Sequence, residues 1–250
     1  MSRRVNIIPM AGDGRRFKDE GFKTPKPFIQ INGLPMVIRA AQCLPKADYW
    51  IFIAREKHLK SFDFKKVLSF YFSNFKIIVL NELSGGQLST CLTSRNYLNS
   101  DDILTFGACD NSMIYDRSKY ENILTSSDSI IWTFRNNISV MQDPDMYGWV
   151  VSKDGISADT ISCKKSISND PISDHAIVGT FSFKNADIFL ENADRLIKKN
   201  RRVNNEYYLD LVIDEVILSG MKVKIFEINK YICWGTPKDL NNYISDINQL

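Results

Sequence analysis

The sequence is poor in the residues that build metal clusters and membrane spans. It has only two histidines, and its five scattered cysteines include no Cys-x-x-Cys pair, so a structural zinc site would lack ligands. No stretch approaches the roughly 18 apolar residues that a spanning helix needs. The apolar run Val5–Pro9 is far too short for the core of a signal peptide. We therefore expect a soluble protein of a reducing compartment, the cytoplasm.

Charge of one sign is lacking as well. The chain has 32 basic and 29 acidic residues, for a formal net charge of +3, and no long basic run. This balance favours neither a nucleic acid nor a membrane surface as a partner. What the sequence does contain is 44% hydrophobic residues over 250 positions, which is enough to bury the core of one domain.

The first half alternates short apolar runs with segments of helical periodicity. The predicted strands are Val5–Pro9, Tyr49–Ala54, Lys76–Leu80 and Ile103–Phe106, and the predicted helices are Pro35–Leu44, His58–Tyr71 and Leu88–Leu98. This alternation is typical of an α/β protein, with a mostly parallel sheet flanked by helices on both faces. In such sheets ligands bind beyond the carboxyl ends of the strands. Functional residues should therefore follow the apolar runs directly.

The second half has a different pattern and lacks internal repeats or linkers. The predicted strands are Ile130–Arg135, Gly148–Ser152, Ile156–Cys163, Ala176–Phe183 and Lys222–Ile228, and the predicted helices are Ala186–Lys199, Tyr207–Leu218 and Lys238–Ile247. We expect one Rossmann-like domain over residues 1–250 with a mixed sheet. A boundary near residue 140 would separate a first half, 1–140, from a smaller lobe, 141–250.

The loop after the first strand carries the strongest functional signal. Gly12 and Gly14 allow the backbone to approach a phosphate chain, and successive N–H groups there can bind an anion. Arg16, and Lys26 within a Pro-Lys-Pro triplet, add positive charge that could stabilise a leaving phosphate. The spacing fits neither the dinucleotide fingerprint nor the Gly-Lys-Ser/Thr P-loop. The plainer alternative is a polar surface loop.

Residues 8–17 together with the Pro-Lys-Pro triplet resemble the signature of the sugar-phosphate nucleotidylyltransferases, Gly-x-Gly-(Ser/Thr)-Arg-(Phe/Leu) followed by Pro-Lys-Pro. The resemblance implies that Arg16 contacts leaving pyrophosphate and that Lys26 contacts the reacting phosphates. Arg15 stands where serine or threonine is usual, which adds charge and removes a hydroxyl. The residues implied to wrap the nucleoside triphosphate are Met10, Ala11, Gly12, Asp13 and Gly14.

Two further segments of this resemblance follow predicted strands. Gly86 and Gln87 are implied to contact the nucleobase, and the Gln87 amide can both donate to and accept from a uracil, thymine or cytosine edge. Asp110 lies where the family holds Mg²⁺ against the phosphates, although its segment is two residues longer than usual. The alternatives are a helix N-terminus capped by Ser84 and an ordinary turn aspartate.

The second half also resembles the family, more weakly, up to about residue 240. Gly148, Lys165 and Val178 are implied to contact the phosphorylated acceptor, and Lys164 is a further candidate for acceptor binding. Lys164 stands in place of a glutamate that accepts hydrogen bonds from sugar hydroxyls in the family. An ammonium cannot accept such bonds, so either the acceptor carries a second anionic group or Lys164 points into solvent. His175 is expected to be structural.

The family's second metal ligand is also replaced. Cys233 stands where an aspartate is usual, and a thiol is a poor ligand for Mg²⁺. Asp210 and Asp214 lie four residues apart on a predicted helix and could substitute for it. Alternatively, they form a solvated acidic stripe, which is the more ordinary arrangement.

These observations lead to the hypothesis of a magnesium-dependent nucleotidyltransferase, with Arg16, Lys26 and Asp110 as its catalytic residues. It would join a nucleoside triphosphate (CTP, UTP or dTTP) to a sugar phosphate and release pyrophosphate, as in the synthesis of polysaccharide precursors. One alternative is a CTP-dependent enzyme for phosphocholine or a phosphorylated amino-acid amide such as phosphoglutamine. Alternatives of another class are a nucleotide-sugar glycosyltransferase and a non-catalytic nucleotide sensor. A homo-oligomer is compatible with all of them.

Overall fold

A mixed β-sheet forms the centre of the protein in a computed structural model, which describes residues 2–60 and 62–248. In chain order the strands are β1 Arg4–Pro9, β2 Gln30–Ile31, β3 Leu34–Pro35, β4 Tyr49–Arg55, β5 Phe75–Leu80, β6 Ile103–Phe106, β7 Asn111–Ile114, β8 Ser129–Phe134, β9 Gly148–Val151, β10 Thr160–Cys163, β11 His175–Phe183, β12 Val223–Glu227 and β13 Lys230–Cys233. The helices are α1 Arg15–Asp19, α2 Met36–Cys43, α3 Glu56–Leu59, α4 Phe64–Tyr71, α5 Gln87–Leu92, α6 Arg117–Thr125, α7 Ala186–Lys198, α8 Leu209–Leu218 and α9 Pro237–Asn248.

Four parallel strands of the first half determine where a ligand-binding site is expected in this sheet. Their order across the sheet is β5–β4–β1–β6, so the chain moves outward from β1 on one side and then returns to its other side. The order therefore reverses between β1 and β6, which is the point where ligands bind in open α/β sheets. The loops that follow β1 and β6 meet at this point.

The second half extends the same sheet instead of forming a separate one. Strand β11 runs antiparallel to β6 and also pairs with β8 and β9, while β12 and β10 complete the nine strands. A register shift between Ile177 and Phe181 bends β11, and Gly179 in this bend has a φ of +86°. The expected division near residue 140 thus falls within one continuous sheet.

Helices cover both faces of the sheet. Helices α7 and α8 pack on one face, and α2, α4 and α6 contribute to the apolar cluster on the other. A third, smaller cluster joins the start of the chain to its end, because Phe17 of α1 and Trp234 share it and each is only 1% exposed. In the described part of the chain, no helix is long and apolar enough to cross a membrane.

The α/β fold expected from the sequence is confirmed, with differences in local detail. The predicted helix 58–71 is two helices, because Asp63 begins the second one by accepting a hydrogen bond from the Lys66 amide. Ser61, within that predicted helix, lies outside the described residues. The predicted helix 88–98 ends at Leu92, and the predicted strand 156–163 begins only at Thr160. The antiparallel pair β7–β13 was not predicted at all.

Candidate active site

A cleft of about 590 Å³ lies at the carboxyl ends of β1 and β6. It is bounded by the first loop, by the segments after β5 and β6, and by the start of α8 and the segment after β13. Nearly all of the site residues predicted from the sequence line this cleft: Met10, Ala11, Gly12, Asp13, Gly14, Arg16, Lys26, Gly86, Gln87, Asp110, Gly148, Lys164 and Val178. The structure thus brings together residues from both halves of the chain.

The first loop turns sharply into the short helix α1. Gly14 has a φ of +63°, and its carbonyl accepts hydrogen bonds from the Phe17 and Lys18 amides. Phe17 is buried, and its ring centroid lies 5.2 Å from the Lys26 ammonium. Arg16 is exposed at the rim of the cleft, and no carboxylate of the described residues lies within 4.0 Å of its guanidinium. The guanidinium of Arg16 and the ammonium of Lys26 thus both line the cleft.

Asp13 ties this loop to the end of β4. Its Oδ1 atom accepts hydrogen bonds from Lys18 Nζ at 2.7 Å, from Arg55 Nη2 at 2.6 Å and from Lys57 Nζ at 2.9 Å. The hydrogen bonds from these three cations hold the pKa of Asp13 well below its usual range. The side chain of Asp13 thus positions the loop, and its three partners leave the area positively charged.

Replacing Asp13 with asparagine should loosen the loop. Charge-assisted hydrogen bonds are worth roughly 1.5–3 kcal/mol. For the nucleotidyltransferase reaction that the sequence predicts, we therefore expect the KM for the nucleoside triphosphate to rise by about tenfold while the acceptor KM changes little. Steady-state kinetics with each substrate varied in turn measures both values. Asp19→Asn, an exposed neighbour on α1, is the matched control. Equal changes in both KM values would contradict the assigned role.

Lys26 and Asp110 form an ion pair in the centre of the cleft. The Lys26 Nζ atom lies 2.5 Å from Asp110 Oδ2 and also donates to the Gly235 carbonyl at 2.8 Å. Burial is the largest single effect on both groups and opposes their charge, but the charge and hydrogen bond of the partner, together with smaller contributions from neighbouring groups, outweigh it. As a result the pKa of Asp110 is lowered and the pKa of Lys26 is raised. The two predicted catalytic residues, 84 positions apart in sequence, are both ionised here.

The carboxylates of this area suit a magnesium ion. Asp110 and Asp239 flank Gly235, since a Cβ atom on that glycine would lie 3.9 and 4.0 Å from their Oδ2 atoms. Burial raises the pKa of the Cys233 thiol to about 12, so it stays protonated and is no ligand for a hard cation. The described residues contain no cluster of three or more ligating side chains. One or two carboxylates match Mg²⁺, which retains waters and takes further ligands from substrate phosphates.

Asp239 was missed in the sequence, although a signal for it exists. The Thr236 amide and hydroxyl donate to Asp239 Oδ2 at 3.1 and 2.7 Å, and the Asp239 amide donates back to Thr236 Oγ1 at 3.1 Å. This reciprocal arrangement is a capping box at the start of α9, and the spacing Thr-x-x-Asp is its sequence signature. The box holds the Asp239 carboxylate at the edge of the cleft.

Backbone hydrogen bonds to Tyr207 hold the Gly86–Gln87 segment in place. Gly86, and not Ser84, is the N-cap residue of α5; the Ser84 hydroxyl instead donates to the Gly86 carbonyl. The Tyr207 amide donates to the Gly85 carbonyl at 3.1 Å, and the Leu88 amide donates to the Tyr207 carbonyl at 2.9 Å. The alternative of a helix N-terminus capped by Ser84 is therefore wrong. Gln87, at the first position of α5, lines the cleft, and its contact with a nucleobase stays a prediction.

Gly86→Ala should damage this segment strongly. Gly86 has a φ of +116°, and a Cβ atom there would lie 2.7 Å from the Tyr207 amide nitrogen and carbonyl oxygen. Backbone strain of this kind costs roughly 1–3 kcal/mol before the clash is counted, so we expect a Tm lower by several degrees. Gly85→Ala is the control, because its Cβ would meet only the Ser89 hydroxyl at 3.4 Å. Thermal unfolding of both variants makes the comparison, and equal Tm values would refute it.

The two adjacent lysines of the second half take different positions. Lys164 has a left-handed backbone (φ +58°), and its ammonium donates to the Met146 carbonyl and lies 5.6 Å from the Tyr208 ring centroid. Lys165 is exposed and does not line the cleft; its carbonyl accepts a hydrogen bond from the Ser162 hydroxyl. The structure thus brings Lys164 into the cleft and leaves Lys165 outside it.

Val178 and His175 lie on β11, with different surroundings. The Val178 carbonyl accepts a hydrogen bond of 2.8 Å from Asn111 Nδ2, which holds the segment after Asp110. His175 does not line the cleft; its Nδ1 atom lies 3.0 Å from the Thr133 hydroxyl, and burial lowers its pKa. This position matches the structural role expected for His175.

The expected solvated stripe on α8 is wrong. Asp210 is 7% exposed and Asp214 is 3% exposed. Arg201 lies 2.5 Å from Asp214 Oδ2, while the Thr160 hydroxyl and the Ile161 amide donate to Oδ1, so Asp214 is a structural anchor. Asp210 faces the cleft. The sequence contained a signal for this burial, because the apolar residues of α8 are spread around the helix and a helix with such a pattern is usually buried.

Known structures share this architecture. A nucleoside-diphosphate-sugar pyrophosphorylase from Vibrio cholerae RC9 matches with a TM-score of 0.77 and 18% identity, over 96% of this chain and 99% of that chain. An inositol-1-phosphate CTP transferase from T. maritima matches with a TM-score of 0.73 and 16% identity, over 100% and 96% of the two chains. The chain has the fold of these proteins. A Bacillus anthracis protein described as a glucose-1-phosphate thymidylyltransferase matches with a TM-score of 0.73 and 17% identity, over 99% of this chain and 96% of that chain.

The nucleotidyltransferase fold is thus shared over nearly the whole chain, while the sequences have diverged far. No protein-family profile matches the chain, and no curated protein sequence does either. At this identity the agreement concerns the fold, so the chemistry has to be argued from the residues of the cleft.

Proposed function

We propose that the protein is a magnesium-dependent nucleotidyltransferase that joins a nucleoside triphosphate to a phosphorylated metabolite and releases pyrophosphate. The observation that carries this proposal is the Lys26–Asp110 ion pair facing the glycine-rich first loop within one cleft. A loop that can hold phosphates, a buried ammonium and a carboxylate for a metal are together the parts that phosphoryl-type transfer requires. The proteins of the same fold described above carry names of this reaction type.

The reaction balances without an enzyme-bound intermediate. A phosphate oxygen of the acceptor forms a new bond to the α-phosphorus, while the bond from that phosphorus to the bridging oxygen breaks and pyrophosphate leaves with the electron pair. Lys26 and Arg16 would stabilise the charge that builds on the leaving group, and the first loop would hold the phosphates in line. Asp110, with Asp239 beside it, would hold Mg²⁺, which supplies further positive charge when bound.

The two ends of the cleft suit the two substrates. Gln87 beside the first loop is compatible with a pyrimidine base, which favours CTP, UTP or dTTP. Lys164 is placed to bind the phosphate of the acceptor in the second half. A sugar phosphate is our first choice of acceptor, with a non-sugar phosphate as the second, because Lys164 replaces the glutamate that accepts hydrogen bonds from sugar hydroxyls in the family that the sequence resembles. The free thiols of all five cysteines fit a cytoplasmic enzyme.

A pyrophosphate-release assay with Mg²⁺ tests the proposal. Each of ATP, CTP, GTP, UTP and dTTP is crossed with hexose 1-phosphates, phosphocholine and phosphorylated amino-acid amides. We expect release with one pair and its loss in Lys26→Ala. Nucleotide binding without release from any pair would contradict the proposal and favour a glycosyltransferase or a nucleotide sensor, neither of which releases pyrophosphate.

A further inference from the structure

Helix α8 carries three buried carboxylates, and they differ in how they are paired. Asp214 is bound by Arg201 at 2.5 Å, and Glu215 by Lys199 at 2.6 Å and Arg201 at 3.4 Å. Within the part of the chain that the structure describes, no basic side chain comes within 4.0 Å of the Asp210 carboxylate. Asp210 is nevertheless only 7% exposed. It is thus the one of the three that lacks an ion-pair partner.

The carboxylate of Asp210 is built into the wall of the acceptor half. It packs directly on Gly148, where a Cβ atom would lie 2.2 Å from Asp210 Oδ2. Among the described residues, the Cys163 thiol and the Asp210 amide donate to this carboxylate, and Lys164 acts on it through its charge. Burial outweighs all three effects and raises the pKa of Asp210. Gly148, expected to contact the acceptor, also leaves the space that this carboxylate occupies.

A buried carboxylate without a partner is costly, and a partner can come from a ligand. An unpaired buried charge destabilises a protein strongly, whereas pairing and hydrogen bonding offset this cost. The ammonium of Lys164 already donates to the Met146 carbonyl and would turn to the acceptor phosphate. Two further polar groups line the cleft, the Glu206 carboxylate and the Tyr208 hydroxyl, and the hydroxyl donates to the carboxylate at 2.8 Å. This end of the cleft therefore offers acceptors of hydrogen bonds.

We propose that Asp210 selects the acceptor by accepting hydrogen bonds from hydroxyl or protonated amine groups that the acceptor carries in addition to its attacking phosphate. This inference rests on the proposed nucleotidyltransferase function and adds the chemical class of the acceptor. It replaces the expectation of a second anionic group on the acceptor, because the acceptor phosphate takes up the charge of Lys164 and the Asp210 carboxylate would repel a further anion. Lys164 then binds the phosphate, and Asp210 distinguishes what is attached to it.

The test is the isosteric variant Asp210→Asn, assayed for pyrophosphate release with four acceptors. Glucose 1-phosphate offers hydroxyls, phosphoethanolamine a protonated amine, phosphocholine a cation without donors, and 3-phosphoglycerate a second anionic group. For the acceptor that the wild type uses, we expect KM to rise by about 10- to 100-fold, with an unchanged KM for the nucleoside triphosphate. Use of glucose 1-phosphate or phosphoethanolamine identifies which donor is bound. Asp101→Asn, an exposed aspartate outside the cleft, is the control.

The other possible results distinguish a failure of the role of Asp210 from a failure of the proposed transferase function. An unchanged acceptor KM in Asp210→Asn, or a wild type that uses 3-phosphoglycerate or phosphocholine alone, overturns this inference while the transferase stands. A lowered Tm with an unchanged acceptor KM would assign Asp210 a purely structural role and overturn it as well. Absence of pyrophosphate release by the wild type with every pair overturns the proposed function itself.

Discussion

Replacing Lys26 with alanine is expected to slow pyrophosphate release by about 10²–10³-fold, the usual cost of removing one donor that stabilises charge in a transition state. The ammonium lies 2.5 Å from Asp110 and is only 15% exposed, so it acts where water screens little. Because this charge forms during the reaction, the loss should fall mainly on kcat and less on the KM of either substrate.

The same substitution should change the pH dependence of the remaining activity. In the wild type the charge of Lys26 keeps the pKa of Asp110 low against the effect of burial. Without it, burial raises that pKa, so the acidic limb of the pH–rate profile should move to higher pH. Steady-state rates over a pH series measure this, with Lys23→Ala, an exposed lysine three residues earlier, as the control. An acidic limb that stays in place would show that Asp110 is not the titrating group.

Replacing Asp110 with asparagine should weaken the activation by magnesium. Its carboxylate is 30% exposed toward the cleft and is the one we assign to the metal, so we expect kcat to fall by at least about 10²-fold. The Mg²⁺ concentration for half-maximal activity should rise as well, because Asp239 alone would remain. Magnesium titrations of the rate measure both quantities.

A matched comparison separates metal binding from folding in this variant. Asp110→Asn also removes the partner of Lys26, whose pKa is then lowered by burial. Asp239→Asn leaves the Lys26–Asp110 pair in place and should raise the magnesium requirement with a smaller effect on kcat. If Asp110→Asn keeps the wild-type magnesium response while its Tm falls, the carboxylate serves only the ion pair.

The parts of the fold that could be predicted are the strands and helices whose own residue pattern indicates that they are buried. Strands such as β1 and β4 are continuous apolar runs because they are covered on both faces, so the sequence alone indicates them. The pair β7–β13 could not be predicted, because strand Asn111–Ile114 is short and half-exposed and its partner strand lies more than a hundred residues away in sequence. Nothing local distinguishes such a strand from a loop.

For the candidate site as well, only the residues that belong to a local sequence pattern could be predicted. The first loop could be recognised from its glycines and its lysine, since their spacing is local. The choice between Lys164 and Lys165 could not, because the left-handed backbone at Lys164 breaks the alternation that would assign faces. The proximity of Asp239 to Asp110 depends on the packing of α9 against the first loop, which no local pattern contains.

The hydrogen bond from Lys26 to the Gly235 carbonyl joins residues 209 positions apart. During synthesis the first loop, β1 and β6 are available long before this partner has left the ribosome, because chains emerge from the N-terminus. The nascent polypeptide can therefore form most of the sheet while the ammonium and Asp110 still lack the wall that Gly235 and Asp239 provide. A growing chain would carry the first loop, which is the proposed nucleotide site, without the rest of the proposed catalytic centre, and the proposed activity would begin only when Gly235 and Asp239 take their places.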